Sequence, residues 1–195
     1  MKFSSIFGCI VLVQSAKATL QVHNDTFHPD EVLRVSIQPV NQACRLRLSA
    51  VVNGTTPGPP LRVKPDHTTW VRVHNDMEAE NLTMHWHGLS KSVAPFSDGT
   101  PLVSQWPIPP GHFFDYELHP VSEEAGTYFY HSHVGFQAAS AFGPLIIEDA
   151  SACAYEYDEE RIIQLSEYFN KSDNAIVEGL VASPFVWYVA SRIRL

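Results

Sequence analysis

The sequence predicts an all-β protein, folded as a Greek-key β-sandwich, and three observations support this class. Short runs of alternating apolar and polar residues recur along the chain, as in strands with one buried face. Turn residues such as Asn53-Gly54 and Pro57-Gly58 separate these runs. Before residue 150, no stretch of twelve residues shows the 3.6-residue period of a helix. Short strands at this spacing are typical of a Greek-key sandwich.

Strands are predicted in chain order from the apolar runs and the breaks between them. The first run alternates cleanly and the second in part, and Lys64-Pro65-Asp66 divides the third from the fourth. A loop rich in Pro, Ser and Gly, at residues 88–111, follows the fifth, and residues 120–126 follow the sixth. The predicted strands are residues 32–37, 46–52, 61–63, 69–73, 82–87, 113–118, 127–133 and 144–148.

The pattern changes after Asp149. Residues 150–160 are polar and acidic, which is typical of a linker. Residues 161–169 alternate in a way that predicts one further strand, and residues 174–184 are weakly helical. This remainder is too short for a second domain of its own.

Length and composition indicate a secreted globular protein. The 195 residues suffice for one full domain, and 45% hydrophobic with 17% charged residues is too apolar for a disordered chain. A net charge of −8 argues against a nucleic-acid partner. Residues 1–18 predict a signal peptide, with Lys2, an apolar run and the cleavage site Ala16-Lys17-Ala18. That run is too short to cross a bilayer, and no other stretch predicts a membrane span.

If the protein is secreted, its cysteines can form a disulfide and its sequons can be glycosylated. Cys9 leaves with the signal peptide, so Cys44 and Cys153 predict a disulfide in an oxidising compartment, with two free thiols as the alternative. Peptide mapping without reduction that finds both thiols free would contradict the disulfide. Four Asn-x-Ser/Thr sequons predict N-glycosylation, at Asn24, Asn53, Asn81 and Asn170.

Two His-x-His pairs carry the chemistry, at His85-Trp86-His87 and His131-Ser132-His133. Side chains of a strand alternate, so both histidines of a pair point the same way, with Cα atoms roughly 6.6 Å apart. If the two strands face each other, four imidazoles converge, a donor set that suits Zn, Cu, Fe and Ni.

A zinc hydrolase favours a carboxylate after the first pair, where Gly88-Leu89-Ser90 stands instead. A cupin-like site pairs one His-x-His with a Glu and a single later His, whereas here the second element is itself a pair. Metal-free surface or core histidines are the remaining alternative, and the paired arrangement favours a centre with more than one metal ion.

Around these pairs the sequence resembles the multicopper oxidase family, which includes laccases and ascorbate oxidases, at its first plastocyanin-like (cupredoxin) domain. The likeness runs from about residue 32 to residue 187. The similar segments follow in the family's order, at residues 53–59, 85–89, 97–101, 105–111 and 126–133. Val134-Gly135-Phe136-Gln137 after the second pair resembles the fungal laccase-like and ascorbate-oxidase-like branch.

The resemblance implies copper as the cofactor and a role for each histidine. His85 resembles the ligand of the type 2 copper. His87 and His131 resemble ligands of one type 3 copper, and His133 resembles a ligand of the other. Asp98 matches a carboxylate that supplies protons during oxygen reduction, although a turn residue before Gly99 is the simpler interpretation. Trp86 is expected to serve packing.

The resemblance also implies a reaction, in which a phenol-like substrate loses single electrons and O₂ is reduced to water. In the family, electrons enter at a type 1 copper held by a Cys and two His in the third domain, which also supplies the other trinuclear ligands. Cys153, between Ala152 and Ala154, does not match such a site. We therefore expect half of a trinuclear site here, and no activity from the isolated chain.

The expected organisation follows from these segments. Residues 1–18 are the signal peptide, 19–150 the first cupredoxin domain, 151–187 a linker with the start of a second such domain, and 188–195 a tail unlike the family. The abrupt change after Trp187 suggests a truncated product, which transcript sequencing would test. Two other functions stay open: a non-catalytic copper-binding or partner-binding β-domain, and a half-enzyme that assembles with a second chain.

Overall fold

The computed structural model describes residues 22–24, 26–42, 44–149, 151 and 155–188. The predicted signal peptide at 1–18, Cys153 and residues 189–195 lie outside this part of the chain. Within it, no helix has the length and apolar character needed to cross a bilayer.

In the described part of the chain, eight strands form two four-stranded sheets. They are β1 (Glu31–Gln42), β2 (Arg45–Val52), β3 (Leu61–Val63), β4 (Thr69–Asn75), β5 (Met84–His87), β6 (Phe113–Leu118), β7 (Gly126–Ser132) and β8 (Phe142–Ile147). The first sheet has the order β2-β1-β4-β6 and the second has the order β3-β8-β7-β5. The β1–β4 and β3–β8 pairs are parallel and the others are antiparallel. The predicted all-β sandwich is therefore confirmed.

The core lies between the two sheets because each strand turns alternate residues inward. Leu33 and Val73 come from the first sheet, and Trp86, Tyr130 and Leu145 come from the second. All five side chains are buried. This packing confirms the expectation for Trp86 and fixes the second sheet against the first.

β1 is longer than its alternating pattern predicts. It continues to Gln42 because it forms a hairpin with β2, in which Gln42 lies opposite Arg45. Pairing with β4 ends at Val35, so Pro39 lies where one side of the strand has no such partner. A proline, which lacks a backbone N–H, is tolerated at such an edge.

The strand predicted at residues 161–169 is wrong, because that segment has no strand structure. Ile163 is 83% exposed and Leu165 is 90% exposed, so these apolar side chains pack neither against a neighbouring strand nor in the core. The weak helical signal is confirmed by α1 (Asp173–Val181). Arg47 of β2 holds this region, since its guanidinium donates to the Phe169 carbonyl and pairs with the Asp173 carboxylate.

Candidate metal centre

Strand register brings the two histidine pairs together. In the antiparallel β5–β7 pair, His85 lies directly opposite His131, and His87 lies opposite Phe129. The strand direction continues past β7, where the His133 backbone N–H donates to the Thr83 carbonyl at 3.3 Å. The pairs therefore overlap at His85 and His131, and His87 and His133 extend to opposite ends.

Alternation separates the imidazoles from the core. Met84 and Trp86 of β5, and Tyr130 and Ser132 of β7, are buried. Their neighbours His85 and His131 point to the other face and are partly exposed, while His87 and His133 are exposed. The four imidazoles thus lie on the outer face of the second sheet, on a backbone that the core holds rigid.

His85 lies at the centre of the group. Its ring centroid is 5.5 Å from that of His87, 5.4 Å from that of His131 and 5.7 Å from that of His133. One potential ligand atom from each of His85, His87 and His131 lies within 4.8 Å of the others. His133 is not in this group of three, although its ring lies 5.8 Å from that of His131. The structure thus brings all four predicted histidines together, with three of them closest.

Hydrogen bonds select which ring nitrogen is available to a metal. His85 Nδ1 lies 2.7 Å from the Asp98 carbonyl, and His131 Nδ1 lies 2.9 Å from the Ser132 carbonyl. A carbonyl oxygen only accepts, so Nδ1 carries the proton in both rings. Each Nε2 then keeps a free lone pair, which is the state a metal ligand requires.

Electrostatics favour the neutral form of His131. Burial lowers the pKa of its imidazole, and positive charge on His85, His133 or His87 would lower that pKa further. The hydrogen bond with Ser132 opposes this shift in part. A lowered pKa keeps the ring unprotonated at neutral pH, so its lone pair is available for a metal.

Asp98 lies beside His85 but contributes more than its carboxylate. It ends a 3-10 turn (Pro95–Asp98), and its backbone carbonyl accepts the His85 bond. Its carboxylate Oδ1 is 3.5 Å from His85 Nδ1, and Oδ2 accepts from the Thr100 hydroxyl. The turn interpretation therefore holds, and Asp98 lies beside the predicted ligand His85, while proton delivery stays a prediction. The contact with the Asp98 carbonyl could not be predicted from the sequence, because every residue has a backbone carbonyl and the residue type does not show which one is used.

The other predicted sites lie on the surface. Asn24, Asn53, Asn81 and Asn170 are exposed. The Asn53 side chain is used by the fold, because its Oδ1 accepts from the Arg34 N–H at 2.7 Å. Cys44 is exposed, and the predicted disulfide partner Cys153 lies outside the described residues. Glycosylation and the disulfide remain predictions.

Comparisons with known proteins agree on one family. A family model described as multicopper oxidase matches residues 34–152. Laccase-like multicopper oxidase 1 of Thermothelomyces thermophilus is 57% identical over 171 residues, which are 88% of this chain and 26% of that protein. Multicopper oxidase aurL2 of Gibberella zeae is 51% identical over 175 residues, 90% of this chain and 29% of that protein. The chain spans less than a third of the length of these relatives.

A solved structure gives the same result for the fold. The crystal structure of Fet3p, described as a multicopper oxidase that functions in iron import, matches with a TM-score of 0.59 at 32% identity. The match covers 66% of this chain and 24% of that one. It confirms the predicted cupredoxin sandwich.

Proposed function

Because this chain belongs to the multicopper oxidase family, we propose that its two His-x-His pairs supply half of a trinuclear copper site. The observation that carries this proposal is the convergence of imidazoles across the β5–β7 pair, with Nε2 of His85 and of His131 left free. Neutral imidazole nitrogens are donors that copper prefers, so the residues fit the metal.

The resemblance to the family, applied residue by residue, divides the histidines among three ions. His85 would bind the type 2 copper, and its Nδ1 is already occupied by the Asp98 carbonyl. His87 and His131, whose rings are 5.9 Å apart, would bind one type 3 copper. His133 lies outside the group of three closest donors, which suits a ligand of the other type 3 copper.

The chain's own residues would hold the ligands and supply protons. When bound, copper would supply one-electron transfer to O₂, whose reduction to two waters takes four electrons and four protons. β5 and β7 fix the ring positions, and hydrogen bonds to the Asp98 and Ser132 carbonyls fix two tautomers. The Asp98 carboxylate would relay protons between solvent and the centre, and its position beside His85 and its partial exposure support this role.

The rest of the reaction would be carried out by residues outside this sequence. Phenol-like substrates would deliver electrons at a type 1 copper in another part of the enzyme, which also supplies the remaining ligands. We further propose that residues 1–18 direct secretion, that residues 19–150 form the first cupredoxin domain, and that residues 151–187 lead toward a second.

Copper titration of the chain from residue 19 tests the proposal. We expect the purified protein to bind Cu²⁺ without the intense blue band of a Cys-ligated copper, and to consume no O₂ with a phenol. The His85→Ala/His131→Ala variant should lose this copper. The matched control is His67→Ala/His112→Ala, which removes two exposed histidines outside the cluster and should bind copper as the wild type does.

Three results would contradict the proposal in different ways. Equal copper binding by both double variants would refute the site. A strong blue band, or O₂ consumption by this chain alone, would refute the half-site. A protein that folds but binds no copper would favour a partner-binding β-domain instead.

A further inference from the structure

We propose that Gly99 is a positioning residue for the metal centre, because the absence of its side chain lets the Asp98 carbonyl reach His85. Gly99 has a φ of +82°, in the left-handed region that favours glycine. A Cβ built at this position would lie 2.5 Å from the Met84 carbonyl carbon, closer still to its oxygen, and 3.0 Å from His85 Cα. These are backbone atoms of β5, so no side-chain rotation relieves the overlap.

The loop around Gly99 is anchored on its other side. The Ser97 side chain is buried, and its Oγ accepts the Glu117 N–H of β6 at 2.7 Å. Downstream, the Thr100 N–H donates to the Ser104 Oγ at 3.0 Å, which closes a turn. The loop is thus fixed to β6 and folded on itself, and the Gly99 backbone sets its distance from β5.

The distance between this loop and β5 decides the tautomer and the orientation of the His85 ring. The Asp98 carbonyl, one residue before Gly99, accepts the Nδ1 proton of His85 at 2.7 Å. This bond fixes both the tautomer and the ring orientation, and it directs Nε2 toward the other histidines. If an added methyl group pushed the loop away, the ring would lose its acceptor and exchange between tautomers.

This role belongs to the backbone and is separate from the Asp98 carboxylate. Asp98→Asn keeps the carbonyl, so it should leave the His85 tautomer unchanged. Gly99→Ala keeps the carboxylate and displaces the carbonyl. The inference rests on the proposed copper function only for its effect on affinity, since the tautomer exists in the metal-free protein.

The test compares Gly99→Ala with Gly111→Ala. Gly111 has a φ of +74° and no atom within 4 Å of an added Cβ, so it shares the backbone strain but not the overlap. Nitrogen-15 NMR of the metal-free histidine rings at pH 8 gives the tautomer. We expect the Nδ1–H form of His85 in the wild type, Gly111→Ala and Asp98→Asn, and a mixture of tautomers in Gly99→Ala. Copper affinity should fall about 10- to 100-fold in Gly99→Ala relative to Gly111→Ala.

The outcomes separate this inference from the proposed function. An unchanged His85 tautomer in a folded Gly99→Ala protein would overturn the role of Gly99, whatever the copper result. A shifted tautomer with no copper binding by the wild type would retain the positioning role and reject the copper site. If Gly99→Ala does not fold, Ser97→Ala loosens the same loop without adding bulk, and a His85 tautomer unchanged in that variant would overturn the inference.

Discussion

At the scale of single residues, the side-chain amine of Lys91 lies in a buried environment that is unfavourable for its charge. Its Nζ is buried, with no hydrogen-bond partner among the residues that the structure describes, and lies 5.7 Å from the centre of the Trp86 ring. Burial lowers the pKa of this amine to about 7, and attraction to Asp98, Glu124 and Glu117 limits the shift. The folded protein therefore carries a lysine that loses its proton near neutral pH.

This shift predicts a pH dependence of stability. Between pH 7 and pH 10.5 the unfolded lysine binds a proton that the folded amine has released, so the free energy of unfolding should rise with pH. Below pH 7 both states are protonated and the cost of burial is constant. Lys91→Met keeps an unbranched side chain of nearly the same length without the charge. It should remove this rise and be more stable than the wild type at pH 7, by up to a few kcal/mol.

Urea unfolding at pH 7, 8.5 and 10 measures the effect. Lys64→Met is the matched control, because Lys64 is an exposed lysine. It should follow the wild-type slope. If Lys91→Met also follows that slope, Lys91 does not titrate as the structure indicates.

At the scale of elements, one buried ion pair joins β4 to β6. Arg72 and Asp115 lie directly opposite each other in the ladder, with two N–O distances of 2.7 Å. Their side chains are 7% and 4% exposed. The guanidinium lies 3.9 Å from the centre of the Phe113 ring, and His23 Nδ1 lies 3.0 Å from Asp115 Oδ2. The pair therefore connects two strands and the segment that precedes β1.

Removing one partner of this pair should cost much more than the same change at the surface. Asp115→Asn removes the carboxylate charge that pairs with the buried Arg72 guanidinium, and we expect the free energy of unfolding to fall by about 3–5 kcal/mol. Asp76→Asn breaks the exposed Arg34–Asp76 pair, with the same N–O distance of 2.7 Å, and should cost less than about 1 kcal/mol. Chemical denaturation of both variants at pH 7 measures the difference, and equal costs would contradict the assigned burial.

At the scale of the whole molecule, the candidate metal centre lies on the outer face of a sheet whose inner face is the core. Copper bound at the histidines would therefore stabilise the entire sandwich, because the ligands converge only when β5 and β7 pair. The ligands come from segments more than forty residues apart, so the unfolded chain does not present them together.

Thermal unfolding with copper tests this coupling. At a free copper concentration 100 times the Kd, the wild type should gain about 2.7 kcal/mol and show a higher Tm. The His85→Ala/His131→Ala variant should gain little, while His67→Ala/His112→Ala should respond as the wild type does. A copper-induced rise in Tm of the same size in all three proteins would indicate binding away from the centre.

Much of the site followed from local pattern. The two-residue alternation predicted that His85 and His87 point the same way, and the structure shows them on the face opposite the buried Trp86. The same kind of pattern failed at residues 161–169, because alternation records a capacity to pair and does not supply a partner strand. The Cys44–Cys153 pairing stays a prediction, since spacing alone does not bring two distant segments together. N-glycosylation at the four sequons also stays a prediction.

The sequence by itself determined the all-β class, the two histidine pairs, the common direction of the two histidines in each pair and, through family resemblance, the copper. Only the tertiary structure decided that His85 faces His131, that three donors lie closer than the fourth, and that the Asp98 carbonyl holds His85. The physical reason is the separation along the chain between the residues that each feature involves. Side-chain alternation is a property of one strand, whereas register, backbone hydrogen bonds and the close approach at Gly99 depend on how separate strands and loops pack.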